Sequence, residues 1–167
     1  MGYKKIYEKQ AALYRAHPRA KKALLIANLG LTALFVLAYI AFCTVAFFVF
    51  AKADILKIIL IPLGCLVLVT VMRALIRRPR PYTDDGADID PLLHKKHRDM
   101  LSFPSRHIAS AFVVAVVFLP YCLWAGLTLL PLGLLLGYVR FALGLHYPTD
   151  LFGGMGLGLL CGLFLLL

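Results

Sequence analysis

Residues 23–50 read ALLIANLGLTALFVLAYIAFCTVAFFVF, an apolar run without a single charged side chain. A helix needs about 20 such residues to cross ~30 Å of hydrocarbon, so this run suffices for one tilted crossing and is too short for two. The bilayer is therefore the solvent of the fold. The composition of the 167-residue chain agrees, because 62% of it is hydrophobic against roughly half in soluble domains. Residues 23–167 are expected to form one membrane-embedded domain, preceded by a basic segment at residues 1–22.

Upstream of the quoted run, Lys4, Lys5, Lys9, Arg15, Arg19, Lys21 and Lys22 accompany Tyr3, Ile6, Tyr7, Leu13 and Tyr14 at roughly helical spacing. That pattern predicts an interfacial amphipathic helix up to Pro18, the alternative being a solvated basic tail. The apolar run is too long for the core of a cleavable signal peptide, so the first span is expected to stay in the mature protein.

Downstream, Lys52 and Asp54 mark a turn. A second span is expected from Ile55 to Arg77, ending at Arg78-Pro79-Arg80-Pro81, where proline removes amide donors and disfavours helix in the residue before it. A polar loop over residues 82–103 follows. The third span runs from Ser105 to Trp124, with a tight turn at Gly126, and the fourth from Leu127 to Leu143. After Gly144-Leu145-His146-Tyr147-Pro148 the fifth covers Thr149–Leu167, with Gly153, Gly154, Gly156 and Gly158 offering a small face for close packing. The expected fold is all-α: a polytopic membrane helix bundle of about five transmembrane spans plus the N-terminal interfacial helix. Cys43, Cys65, Cys122 and Cys161 lie in apolar runs without metal-type spacing and read as small buried hydrophobes.

The net charge of +10 comes from 18 Lys and Arg that lie outside or at the ends of the apolar runs. A membrane surface and an anionic head group suit that placement, whereas nucleic-acid binding would need a basic soluble module that is missing here. Asp84, Asp85, Asp88, Asp90 and Asp99 crowd the polar loop, but their spacing fits no calcium loop and reads as a solvated segment. Lys95, Lys96 and Arg98 in the same loop suit contact with lipid head groups.

With five crossings, the ends of spans two and four and the starts of spans three and five emerge on one side. Arg73, Arg80, Ser105, His107, Arg140, His146 and Asp150 all lie there. Guanidinium forks match phosphate oxygens, and the first turn of a helix offers unpaired amides to an anion. Ser105 at the start of span three also reads as a plain helix cap. Arg77 and Arg78 read as arginines snorkelling to the interface. Asp150, placed by Pro148 in the first turn of span five, can reach back to His146 and fix its tautomer, the arrangement of an oriented nucleophile. Alone it would read as an ordinary acid at a helix start.

These residues resemble the membrane-bound type 2 phosphatidic acid phosphatases, which share their site with vanadium haloperoxidases. The pattern K-x6-RP, PSGH and SR-x5-H-x3-D is matched here by Arg73-x6-Arg80-Pro81, Pro104-Ser105-Arg106-His107 and Arg140-x5-His146-x3-Asp150, in order and with every spacing kept. The resemblance implies a lipid phosphate phosphatase in which His146 attacks phosphorus to give a phosphohistidine, Asp150 orients it and His107 protonates the leaving oxygen. Arg73, Arg80, Ser105 and Arg140 would hold the phosphate, with no metal and no cofactor. Arg73 stands where the family has lysine, Arg106 where it has glycine and Val139 where it has serine. Arg106 adds a guanidinium able to touch phosphate or head group.

The implied substrate is a membrane lipid: phosphatidylglycerol phosphate, phosphatidate or a polyprenyl diphosphate. A phosphotransferase using the same intermediate, or a non-catalytic binder of anionic lipid, would carry the same residues, while the spans exclude a soluble haloperoxidase. The protein is expected in the cell membrane as a multi-pass chain. All Lys and Arg except Lys52 and Lys57 fall on the side of the site, which favours its cytoplasmic placement. The resemblance points the other way, since bacterial members of that family have six spans and face outward.

Overall fold

The computed structural model describes residues 2–83, 86–93 and 101–164. Among them are six helices and no strand: α1 (Tyr3–Ala16), α2 (Pro18–Val49), α3 (Lys52–Ile76), α4 (Arg106–Phe118), α5 (Leu123–Ala142) and α6 (Pro148–Leu163). Three of them, α2, α3 and α5, are long and apolar enough to cross a bilayer. At 13 and 16 residues, α4 and α6 fall short of the ~20 needed for a full crossing. Of the five expected spans, three thus appear as helices of crossing length, while the third and fifth correspond to the shorter α4 and α6.

α4 is the axis of the bundle and packs against α6, α5 and α3. Nearly all of it, from Ile108 to Phe118, is buried. Its closest neighbour is α6, where Gly154, Gly158 and Gly162 recur at four-residue spacing and so share one face. A Cβ on Gly158 would stand 2.4 Å from the Ala109 carbonyl oxygen, and one on Gly154 2.6 Å from that of Ser105. Backbones this close need glycine. The small face is therefore 154, 158 and 162 rather than the expected set, for Gly153 meets the Phe103 ring and Gly156 faces open space.

Two other boundaries move for local reasons. The first span begins at Pro18, whose fixed φ suits the first helical position, so Arg19, Lys21 and Lys22 ride on the same helix. The turn expected at Gly126 lies earlier, at Leu119–Cys122, because Pro120 stops α4. Gly126 sits inside α5 as a packing residue, where a Cβ would stand 2.5 Å from Leu119 Cδ2. Cys122 consequently lies exposed in that turn, unlike buried Cys65 and half-buried Cys43 and Cys161.

α1 is helical as expected and docks part of its apolar stripe on protein. Tyr7 and Ala11 are fully buried with Leu143, Leu145, Ile89 and Leu92. Tyr7 accepts a hydrogen bond from the Leu92 amide at 3.0 Å, and Arg15 pairs with Asp90 at 2.8 Å. Asp88 lies 3.7 Å from Lys4, so both described loop aspartates are tied to α1. Asp84, Asp85, Lys95, Lys96, Arg98 and Asp99 lie outside the described residues.

Candidate active site

The site forms where α3 and α5 end and α4 and α6 begin. Arg73 occupies the last turn of α3 and donates to the carbonyl oxygens of Pro104 at 2.9 Å, Ser102 at 3.4 Å and Leu101. Its fork thereby pins the 101–105 strap that delivers Ser105 and His107. Arg77 closes α3 in the left-handed conformation, φ 48°, and lies exposed. Beyond it the Arg-Pro-Arg-Pro segment leaves the helix and carries Arg80 inward, where Nη1 donates to the Leu145 carbonyl at 3.4 Å.

Ser105 precedes α4 without capping it: its side chain makes no cap hydrogen bond, and its amide donates to the Asp150 carbonyl at 3.0 Å. Arg106 and His107 open α4. Arg140, in the last turn of α5, reaches Thr32 Oγ1 of α2 at 3.4 Å. Gly144, at φ +78° against the Tyr7 hydroxyl, turns the chain out of α5 and into His146. Only glycine adopts that conformation without strain.

Asp150 is fully buried and its carboxylate is the hub of the site. Oδ2 lies 3.5 Å from His146 Nδ1 and accepts from the Tyr147 amide at 2.9 Å and from the Ser102 hydroxyl. Oδ1 accepts from Arg78 at 2.9 Å. Arg78 is thus no snorkelling residue: it also donates to Thr149 Oγ1 at 2.7 Å and stacks 4.3 Å above the Tyr147 ring. In the sequence, Ser102, Tyr147 and Thr149 carry no site role and Arg78 reads as an interface arginine. The signal for Arg78 was there, since extended segments alternate faces and Arg78 therefore belongs with Arg80 rather than with Arg77.

Arg80, Arg140, Ser105 and His146 are all buried; His146 Nδ1 faces Asp150, while Arg80 Nε, Arg140 Nε and Ser105 Oγ are buried without a hydrogen-bond partner. Such groups each cost on the order of 1–3 kcal/mol when left unpaired, and more when charged. Among the described residues the site sets four arginines, Arg73, Arg78, Arg80 and Arg140, against the single Asp150 carboxylate, and three of the four are deeply buried. The excess of positive charge in a low dielectric calls for an anion. Burial pushes the His146 pKa down to about 4, with Arg80 and Arg140 acting in the same direction and Asp150 opposing them. The imidazole is therefore neutral at ordinary pH. Among the described residues no group of three or more His, Cys, Asp or Glu is placed to hold a metal ion.

Beside this polar end a cleft of about 630 Å³ runs between α2, α3 and α4. Arg106 and His107 stand in its wall together with Val36, Tyr39, Leu63 and Leu66, so the site and an apolar slot share an edge.

The PAP2 superfamily profile matches residues 54–167. The chain is 27% identical to LpxE of Aquifex aeolicus, a solved structure, at a TM-score of 0.70, covering 95% of this chain and 93% of that one. A PAP2-type phosphatidylglycerolphosphate phosphatase from Bacillus subtilis shares the fold at a TM-score of 0.65 and 24% identity, over 96% of this chain and 90% of that one. YbjG of Escherichia coli (strain K12), provisionally named an undecaprenyl-diphosphatase, is 38% identical over 60 residues, which span 35% of this chain and 30% of that protein. The helical bundle, the ordered blocks Arg73 to Asp150 and the profile match over most of the chain agree: this protein belongs to the PAP2 superfamily.

Proposed function

We propose that the protein is a lipid phosphate phosphatase that works through a phosphohistidine on His146. The observation that carries this reading is the convergence of unpartnered, buried donors from Arg80, Arg140 and Ser105 beside a neutral, buried His146 backed by Asp150. A phosphoryl group satisfies all of them at once. Nδ1 faces the carboxylate, so it carries the proton, and Nε2 is the nitrogen with a lone pair to give.

In the first half-reaction Nε2 attacks phosphorus, the P–N bond forms and the bond from phosphorus to the lipid oxygen breaks. His107 donates its proton to that oxygen, which leaves as an alcohol or as a phosphate ester. In the second, His107 takes a proton from water, the water oxygen attacks phosphorus, the P–N bond breaks and inorganic phosphate departs. Arg80 and Arg140 neutralise the equatorial oxygens throughout, so the reaction proceeds without a metal. Arg73 acts mainly by holding the strap that carries Ser105 and His107. Arg106, exposed at the edge of the cleft, meets the head group beyond the phosphate.

The shared edge of site and cleft supports a substrate whose apolar chain lies along α2 and α3 while its phosphate enters the polar end. Phosphatidylglycerol phosphate, phosphatidate and polyprenyl diphosphates fit that description. Purified enzyme given a single lipid phosphate in detergent, with EDTA present, is expected to release inorganic phosphate. Loss of activity in chelator restored by magnesium overturns the metal-free mechanism, and turnover that requires a second lipid as acceptor makes the protein a phosphotransferase.

The basic residues flanking the site favour its cytoplasmic placement. Single cysteines at residue 10 and in the 84–99 loop of an otherwise cysteine-free protein should both resist an impermeant thiol reagent on intact cells. Labelling at both positions overturns that placement.

A further inference from the structure

We infer that Arg78, at an unspecified position of the first matched block, is a positioning residue that holds the Asp150 carboxylate ionised and turned so that Oδ2 faces His146; this rests on the phosphohistidine reading. The two carboxylate oxygens have separate partners. Oδ1 takes the Arg78 guanidinium at 2.9 Å, while Oδ2 serves the His146 imidazole, the Tyr147 amide and the Ser102 hydroxyl. Asp150 is completely inaccessible, and a carboxylate in such a place must be paired or it takes up a proton. His146 engages the other oxygen, Oδ2, at 3.5 Å. Arg80 donates to the Leu145 carbonyl, Arg140 to Thr32 Oγ1 and Arg73 to strap carbonyls. Among the described residues, Arg78 is the cation whose guanidinium bonds Oδ1 of Asp150.

Its own placement is fixed from three directions: the carboxylate, Thr149 Oγ1 at 2.7 Å and the Tyr147 ring beneath it. With this fork engaged, the carboxylate cannot swing away from the imidazole. The Nδ1–H tautomer is then favoured and Nε2 stays free to attack. Among the described residues, the charged and titratable groups that face Asp150 are Arg78 after α3, His146 and Tyr147 before α6, and Tyr3 of α1, while Arg80 after α3 and Arg140 at the end of α5 act on His146.

The test compares wild type, R78A, R78Q and R78K on one lipid phosphate across pH. R78A and R78Q should lose roughly 10–100-fold in kcat, the usual weight of a partner that orients a reacting group, with KM little changed. The acid limb of their pH profile should move up by about one unit or more, because removing a cation within ~4 Å makes the Asp150–His146 pair easier to protonate. R78K should fall between, with its acid limb near that of wild type, and millimolar guanidinium should partly restore R78A and not wild type. A raised KM with an unshifted limb in both neutral variants makes Arg78 a phosphate ligand and overturns the proposal, as does a wild-type kcat. Rapid acid-labile phosphoenzyme trapping on wild type separates the two readings. If wild type yields no phosphohistidine, the mechanism itself fails; if it does and the limb stays put, only the role of Arg78 fails.

Discussion

α4 and α2 are built from the same kinds of residue and do opposite things with them. α4 turns almost every side chain inward and lies backbone to backbone with the glycines of α6. α2 buries only Leu24, Phe35, Phe42 and Ala46 along 32 residues, and Phe47, Phe48 and Val49 at its end are among the most exposed side chains of the protein. In water that exposure would be a fault, but in lipid it is neutral, so apolarity no longer separates inside from outside. Small residues do. The α4–α6 pair, locked by Gly154, Gly158 and Gly162, positions Ser105, His107 and Asp150 of the candidate site, whereas α2 and α3 supply the outer wall of the cleft.

The sharpest break of this division is His146→Ala. It should remove turnover on every substrate by more than about 10³-fold, as expected when a covalent route loses its nucleophile, while the protein keeps its helical content and melting temperature. Circular dichroism and phosphate release on the same sample check both, and a residual rate above a tenth of wild type sinks the assignment. His107→Ala should cost roughly 10²–10⁴-fold on a lipid whose leaving group is an alkoxide, the range of general acid catalysis. An aryl phosphate, whose leaving group needs no proton, should lose far less. Equal losses on the two substrates argue against the acid role.

How much of this was legible beforehand follows from the same contrast. The apolar runs and the spacing of Arg73, Arg80, Ser105, His107, Arg140, His146 and Asp150 are local properties, so helices and candidate residues could be read directly. Partner choice is not local. Nothing in the sequence says that Arg73 turns to strap carbonyls, or that Ser102 and Arg78 reach Asp150 from 48 and 72 residues away. Arg78 looked like Arg77 because both end one helix, and only the prolines that straighten the chain separate an arginine facing outward from one at the hub. The turn after α4 is set by Pro120 rather than by Gly126, which packs inside α5. A glycine marks a turn in water and just as often a close helix contact in a bilayer.

A smaller effect concerns pH. With its pKa lowered to about 4 from the usual 6.5, chiefly by burial, His146 is deprotonated throughout the neutral range. Acid inactivation through this residue should therefore begin only as pH falls toward 4, and kcat/KM, once corrected for ionisation of the substrate, should show no loss near 6.5. An acid limb centred at 6.5 that disappears on replacing His146 would mean that the imidazole is solvated rather than buried.

The smallest effect tests the lipid-facing side. Leu63 projects from α3 into the cleft, and a tryptophan there should fill space meant for an apolar chain. Because Leu63 lines the apolar part of the cleft, two helix turns or more from Arg73 along α3, Leu63→Trp should raise KM for a long-chain lipid phosphate by about tenfold, the weight of ~1.4 kcal/mol of lost binding. A short soluble phosphate should be hydrolysed as before. Phe48→Ala, on the exposed end of α2 and away from the cleft lining, is the matched control and should change neither value, since one aromatic ring facing lipid is replaced by lipid itself. Equal slowing of long and short substrates by Leu63→Trp would mean that the cleft transmits strain to the site rather than receiving a chain. The division between a catalytic pair and a lipid-facing pair would then be wrong at its boundary, where His107 belongs to both.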